Sequence, residues 1–219
     1  MLGDSIRSIL LHSVSGTFVH PGIYASSPVI ANRSQKAFHL SDDARALCDW
    51  LCLEIDSDYA GTVVCIDFEI LHLFVSAGHN YVGHHEKPPG DHATVDMGEI
   101  QCIAGQGIAG DRYFGHKKEY KGQITYFEEE TYQDLCLQLG VWDRGPDVFR
   151  RNVITRGVRL NELIGVEFEL QGVRFFGTQE CRPCYWMNVA FASGTEKAMR
   201  GRGGLRAEIR SNGFLRRSA

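Results

Sequence analysis

Val166-Glu167-Phe168-Glu169-Leu170-Gln171-Gly172-Val173-Arg174-Phe175-Phe176-Gly177 is the stretch that decides how this chain is read. Val166, Phe168 and Leu170 alternate with acidic residues, Gln171-Gly172 supplies a two-residue turn, and Val173, Phe175 and Gly177 run back. Apolar residues at period two on both sides of a glycine-containing turn predict a β-hairpin. The same alternation recurs at Leu205, Ala207 and Ile209, read as a last strand closed by Asn212-Gly213. Upstream, Glu99 to Ala104, Gln123 to Phe127 and Phe149 to Thr155 also read as short strands. Val63 to Val75 is apolar on both faces, as a barrel or central strand would be.

Helical signals are few. In Glu128 to Leu139, Tyr132, Leu135, Cys136 and Leu139 fall at i, i+3, i+4 and i+7, and Gly140 ends the run. Ser41-Asp42-Asp43 can cap a short helix carrying Ala44, Leu47, Trp50 and Leu51 on one face. Ser193-Gly194-Thr195-Glu196 has the spacing of a capping box for a helix ending at Gly201. Many short strands with few helices predict a mainly β barrel, α+β overall, rather than a parallel α/β sheet. Residues 1–66 read as a loosely organised N-terminal extension and 67–219 as the folded domain.

Charge is distributed unevenly along the 219 residues, whose formal net is −4. Residues 144–219 hold 14 Lys+Arg against 7 Asp+Glu, a net of +7, leaving −11 on 1–143. Thirteen of those 14 cations are Arg, whose planar fork suits phosphate or carboxylate. Such a half can take nucleic acid, an anionic membrane or a small phosphorylated ligand. For any single Arg, a solvated surface is the simpler explanation. The longest apolar run, Thr62 to Ser76, is cut by Asp67 and Glu69, so no membrane span is expected.

Seven cysteines without a secretory signal predict free thiols in a reducing compartment, the cytoplasm. The Ser-rich, acid-poor segment up to Ser41 is the one organellar flavour. Glu180-Cys181-Arg182-Pro183-Cys184-Tyr185 holds a Cys-x-x-Cys pair with Arg182 between the sulfurs. A thiolate is both nucleophile and soft metal ligand, and nearby cations favour it. A thioredoxin-type reading needs the pair early, at a helix start, and Tyr185-Trp186-Met187-Asn188 shows no amphipathic helical pattern. A zinc site shared with Cys48 and Cys52 has loose spacing.

Gly105-Gln106-Gly107-Ile108-Ala109-Gly110 matches a dinucleotide fingerprint in letters but opens no helix; it reads as a tight barrel corner where Asp111 pairs structurally, or as a glycine-rich loop whose backbone approaches an anion with Arg112 supplying charge. His79, His84, His85, His92 and His116 are dense, yet no His pair at helical spacing supports a metal, and a solvated loop explains them. No Gly-x-Ser-x-Gly elbow, Walker loop or zincin motif occurs.

Six segments taken in order resemble a MOSC domain, the molybdenum cofactor sulfurase C-terminal domain, in its small stand-alone form. They are Gly107 to Tyr113, Gln123 to Phe127, Phe149-Arg150-Arg151-Asn152-Val153-Ile154, Leu163-Ile164-Gly165, Cys181-Arg182-Pro183-Cys184 and Arg202-Gly203-Gly204-Leu205-Arg206-Ala207. The likeness covers about residues 69–215. It implies a β-barrel of the MOSC and pyruvate-kinase barrel kind, holding a molybdenum-pterin cofactor (molybdopterin). By this resemblance Cys184 is the signature cysteine, a molybdenum ligand or sulfur carrier. Arg112, Arg150 and Asn152 would reach the cofactor's phosphate and pterin, and Arg182 would help hold Cys184 as a thiolate. Arg151 departs from the Pro that some reductase relatives carry, and the separate N-terminal barrel of those reductases is missing.

The expected function is therefore a molybdenum-cofactor-binding protein in sulfur or metal–sulfur handling, or in reduction of N-hydroxylated compounds. It would be a molybdenum-dependent oxidoreductase or a sulfurtransferase, with a redox or sulfur-donor protein as partner. The alternative is a non-catalytic module whose basic face contacts nucleic acid or a protein; it predicts steep salt dependence and indifference to Cys184.

Overall fold

The computed structural model describes residues 63–219. Gln171 and Gly172 turn the chain with both φ values positive, 51° and 77°, the twist that a two-residue hairpin requires. The turn joins β8 (Glu167–Leu170) to β9 (Val173–Glu180) in antiparallel register, Phe168 opposite Phe175 and Leu170 opposite Val173. Those four side chains all face one core.

From this hairpin an eight-stranded sheet builds in both directions, in the order β1-β8-β9-β10-β6-β7-β2-β3. The other members are β1 (Val64–Cys65), β2 (Glu69–Val75), β3 (Val95–Asp96), β6 (Ile124–Glu128), β7 (Val153–Arg156) and β10 (Leu205–Ile209). A second sheet of β11 (Gly213–Arg216), β4 (Glu99–Ile103) and β5 (Gly107–Ile108) completes a half-barrel. Between them lie Ile70, Leu73, Ile100, Ile108, Ile124, Tyr126, Val153, Phe168, Phe175, Leu205 and Leu215. A fully buried side chain of this size contributes about 1.5–3 kcal/mol, so this interior holds the strands together.

Alternation carries the next residues to the opposite face. Phe74, Phe127 and Ile154 follow Leu73, Tyr126 and Val153, and form a second cluster with Leu135, Phe149, Trp186, Met187, Phe191 and Met199. That cluster lies under α1 (Glu129–Leu139), α2 (Trp186–Ala190) and α3 (Thr195–Ala198). Helix α1 ends at Gly140, whose φ of 67° is the left-handed cap. It crosses from β6 to β7, which pair in parallel.

Several expectations need correction. Val63 to Val75 is not one strand but β1 and β2, which pair with β8 and β7. Phe149 to Thr155 is strand only from Val153 onward, as β7: Gly145-Pro146 starts a 3-10 turn over Pro146–Phe149, and Arg150 is left-handed at φ 55°. Thr195, not Ser193, closes the start of α3, its hydroxyl donating to the Ala192 carbonyl at 2.6 Å. Glu196 meets Asn188 instead of capping its own helix. Gly213 opens β11 rather than closing the chain's last strand. Trp186 to Ala190 is helical because Trp186 and Met187 bury together, a pair too short to show a period. The helix read at Ala44 to Leu51, and nearly all of the 1–66 extension, fall outside the described residues.

Gly105, Gly107 and Gly110 hold positive φ around β5 and open no helix, as a corner does. Among the described residues no helix is long and apolar enough to cross a membrane.

Candidate anion and thiol site

On the helix-bearing face of the larger sheet, five chain segments enclose a cavity of about 320 Å³. Among the described residues its lining includes Cys181, Cys184 and five arginines, Arg112, Arg150, Arg151, Arg182 and Arg206, with no aspartate or glutamate. Aromatic walls come from Tyr81 and Trp186 on one part and Tyr113 and Tyr120 on another.

The Cys-x-x-Cys segment leaves β9 without regular structure, and two glycines let it settle. A Cβ on Gly203 would collide with the Cys181 carbonyl oxygen, and one on Gly204, at φ 95°, with that of Tyr126. Only glycine permits this approach. The Cys181 N–H then donates to the Gly204 carbonyl at 2.7 Å. Cys181 is 4% exposed, whereas Cys184 is exposed at the rim. Past Cys184, Tyr185 stacks on Trp186 at 5.0 Å and Trp186 on Tyr81 at 4.9 Å. His85 Nδ1 meets the Tyr185 hydroxyl at 2.8 Å. The loop 78–92 is thereby fastened beside the exposed thiol.

The arginines do different work. Arg112 Nη1 pairs with buried Asp111 at 3.2 Å, and Nη2 donates to the Arg150 carbonyl at 2.9 Å. Arg150 Nη2 donates to Ser76 Oγ and the Gly78 carbonyl at 2.8 and 2.6 Å; Nη1 donates to the His92 carbonyl and Thr94 Oγ1, both at 3.3 Å. Both ends of the His-rich loop are therefore stapled to one guanidinium. Arg151 donates to the carbonyls of Phe149, Cys181 and Gly203 at 2.8, 3.1 and 3.2 Å. Arg206 lies beside the Cys181 thiol: burial opposes its charge, but the sulfur, with Tyr120 and Tyr113, raises its pKa on balance. Arg182 is exposed and makes no hydrogen bond or ion pair among the described residues.

The structure thus brings Cys184, Arg112, Arg150 and Arg182 to one cavity. Asn152 stays beneath it, 3% exposed. Its Oδ1 accepts from Thr125 N–H and Oγ1 at 3.1 and 2.8 Å, and its Nδ2 donates to Phe74 O and Asp111 Oδ2 at 3.1 and 3.2 Å. With every polar position satisfied, Asn152 braces the floor through Asp111 and Thr125 and does not line the cavity.

Sequence reasoning missed Arg206, Tyr113, Tyr120 and His79 as lining residues. The signal for Arg206 was present, because alternation through Leu205, Ala207 and Ile209 points position 206 to the other face. For the aromatic residues no local signal existed. His79 is held below its usual pKa, first by burial and then by Arg112, His116 and Arg150, so it faces the cavity neutral. Burial and Tyr113 push the Tyr120 phenol up to about 12. Among the described residues no group of three or more His, Cys, Asp or Glu could hold a metal ion.

Solved structures resemble this fold, two of them as follows. The YUAD protein from Bacillus subtilis superposes with a TM-score of 0.53 at 19% identity, over 68% of this chain and 91% of that one. YiiM from Geobacillus stearothermophilus gives 0.50 at 12% identity, over 68% and 71%. At such identities the likeness is one of fold. No curated protein matches the chain. The model of one sequence family, described as the MOSC domain, matches residues 106–216, just over half the chain and every segment that builds the cavity except 79–82. By that match the chain belongs to the MOSC domain family.

Proposed function

We propose that this chain binds a molybdenum-pterin cofactor in the arginine-lined cavity, with Cys184 as the thiolate that meets the metal or carries sulfur. The MOSC family is associated with that cofactor. One observation carries the reading: an exposed thiol opens onto a cavity that the described residues line with five arginines and no carboxylate. Buried guanidinium charge without a counter-ion is costly, and an anionic occupant offsets it. The fit is chemical as well as electrostatic, since molybdenum accepts soft thiolate ligands and phosphate accepts Arg forks.

When bound, the cofactor would supply a redox-active, sulfur-accepting metal. The chain's residues do the rest. Arg112 and its Asp111 partner fix one wall, and Arg150 fixes the loop 78–92, whose residues 79–82 form another. Tyr81, Trp186 and Tyr113 exclude water from flat faces of an occupant. The reactions that suit this arrangement are sulfur or metal–sulfur handling and reduction of N-hydroxylated compounds, served by a redox or sulfur-donor protein.

The test is molybdenum analysis and fluorescence of oxidised pterin on protein from a cofactor-competent host, beside Cys184→Ala. Molybdenum and pterin in the wild type, with molybdenum reduced in the variant, support the reading. Absence of both from both samples refutes it.

A further inference from the structure

The cavity's positive charge exceeds what its walls can neutralise. Of the five lining arginines only Arg112 has a carboxylate partner among the described residues, Asp111. Arg150 and Arg151, each 8% exposed, give their hydrogen bonds to neutral acceptors. Neutral carbonyls satisfy the N–H groups but leave the charge uncompensated, which favours a multiply charged anion in the adjoining space.

An anion also needs donors that are still available, and here the arginines separate sharply. Both Nη atoms of Arg150 are engaged twice over, and Arg151 donates from Nε, Nη1 and Nη2. Neither can turn a fork on a ligand without releasing the loop 78–92 or the Cys181 turn. Among the described residues, Arg206 has the Cys181 thiol beside it as its one side-chain hydrogen-bond partner, and Arg182 stands free.

The backbone around Arg206 is shaped for that side chain. Register shifts between Arg206 and Ala207, because β9 carries an extra residue, Thr178, at this point. Thr178 Oγ1 holds the distortion, its single O–H shared between the carbonyls of Arg206 at 2.9 Å and Lys121 at 2.6 Å. A bulge of this kind re-aims a side chain and often borders a site. Across the sheet, Gly122 lies against the Arg206 stem: a Cβ there would reach contact distance of its Cδ and of the Tyr120 ring, both at 3.4 Å.

We infer that Arg206 is the fork that grips the phosphate end of the occupant, with Arg182 closing on it from the rim. Arg150 and Arg151 supply field and hold the walls. The ligand class is a phosphomonoester or pyrophosphate carrying at least two negative charges. The inference deepens the cofactor reading and rests on it for the ligand's identity, not for the seat.

The experiment measures inorganic pyrophosphate binding by calorimetry, with thermal denaturation and circular dichroism on each variant. Wild type is expected to bind and to melt higher with pyrophosphate. Arg206→Gln should keep its fold and lose about tenfold or more in affinity, the effect of one charge-assisted fork. Arg182→Gln should lose a few-fold by the same principle. Arg150→Gln should lower the melting temperature without ligand and speed proteolysis within 78–92. Arg206→Gln binding like wild type overturns the inference, as does a wild type that ignores pyrophosphate. Should Arg206→Gln unfold, Arg206→Lys decides the matter: it keeps charge but not the fork, so undiminished affinity overturns the proposal. Pyrophosphate binding that depends on Arg206, in a protein that never carries pterin, would sink the cofactor reading and leave the seat intact. A pterin phosphate that outbinds guanosine monophosphate, with the same dependence on Arg206, supports both.

Discussion

Arg151 Nη2 donates to the Cys181 carbonyl at 3.1 Å, so a residue following the first 3-10 turn fixes a thiol-bearing turn thirty positions later. The same guanidinium holds Phe149 and Gly203, joining three segments at one wall of the cavity. Arg151→Met keeps the bulk and strands three carbonyls. It should cost about 3 kcal/mol, since each buried group left unpaired costs about 1–3 kcal/mol and some will find water. Urea denaturation measures the loss; a change below about 0.5 kcal/mol, the scale of an ordinary surface substitution, would contradict the staple.

Tyr126 presents the opposite case. Its hydroxyl is fully buried in the half-barrel and has no hydrogen-bond partner among the described residues, with Phe68, Phe168 and Phe175 edge-on around the ring. Tyr126→Phe removes an unsatisfied group and keeps the ring. Stability should be unchanged or should rise by up to about 1 kcal/mol. A clear loss on denaturation would mean that the hydroxyl has a partner.

His79 gives a pH dependence with a definite sign. Its folded pKa lies below 6.5, so the unfolded chain binds more protons as pH falls past that value. The contribution is fully present above about 6.5 and is lost as pH drops toward the folded pKa. Melting temperature between pH 7 and 5 should therefore fall less steeply in His79→Gln than in wild type. Equal slopes would show that His79 does not titrate apart. Bound pyrophosphate should flatten the wild-type slope as well, because an anion offsets Arg112 and Arg150.

Thiol accessibility separates the two cysteines of the turn. Among the described cysteines, Cys65 and Cys184 are exposed, and Cys102, Cys136 and Cys181 are buried. Burial also pushes the Cys102 thiol up to about 12. Iodoacetamide with peptide mass mapping should label Cys65 and Cys184 first and leave Cys102 last. Saturating pyrophosphate should slow Cys184 and spare Cys65. Equal slowing at both would point to a general salt effect rather than a filled cavity.

Much of the barrel was legible because period-two patterns survive in short windows. The Phe168/Phe175 hairpin and the Leu205 strand needed only alternation and a Gln-Gly turn. Strand order was not legible, since β10 enters between β9 and β6 through contacts that reach from Leu205 back to Tyr126. Capping letters at Ser193 misled because Thr195 made the closing bond from further along the chain. In the site, residue types at Cys184 and Arg112 pointed to the cavity, while the division of labour among arginines depends on which carbonyls lie within reach. No spacing rule encodes that.

The late strand β10 occupies the interior of the eight-strand order, with partners on both flanks. A nonsense codon between Cys184 and Leu205 would therefore remove a keystone rather than trim a border, splitting the sheet into two unmatched halves. Such a truncation yields a product for cellular proteases to clear, and a sequence variant of this type should behave genetically as a complete loss.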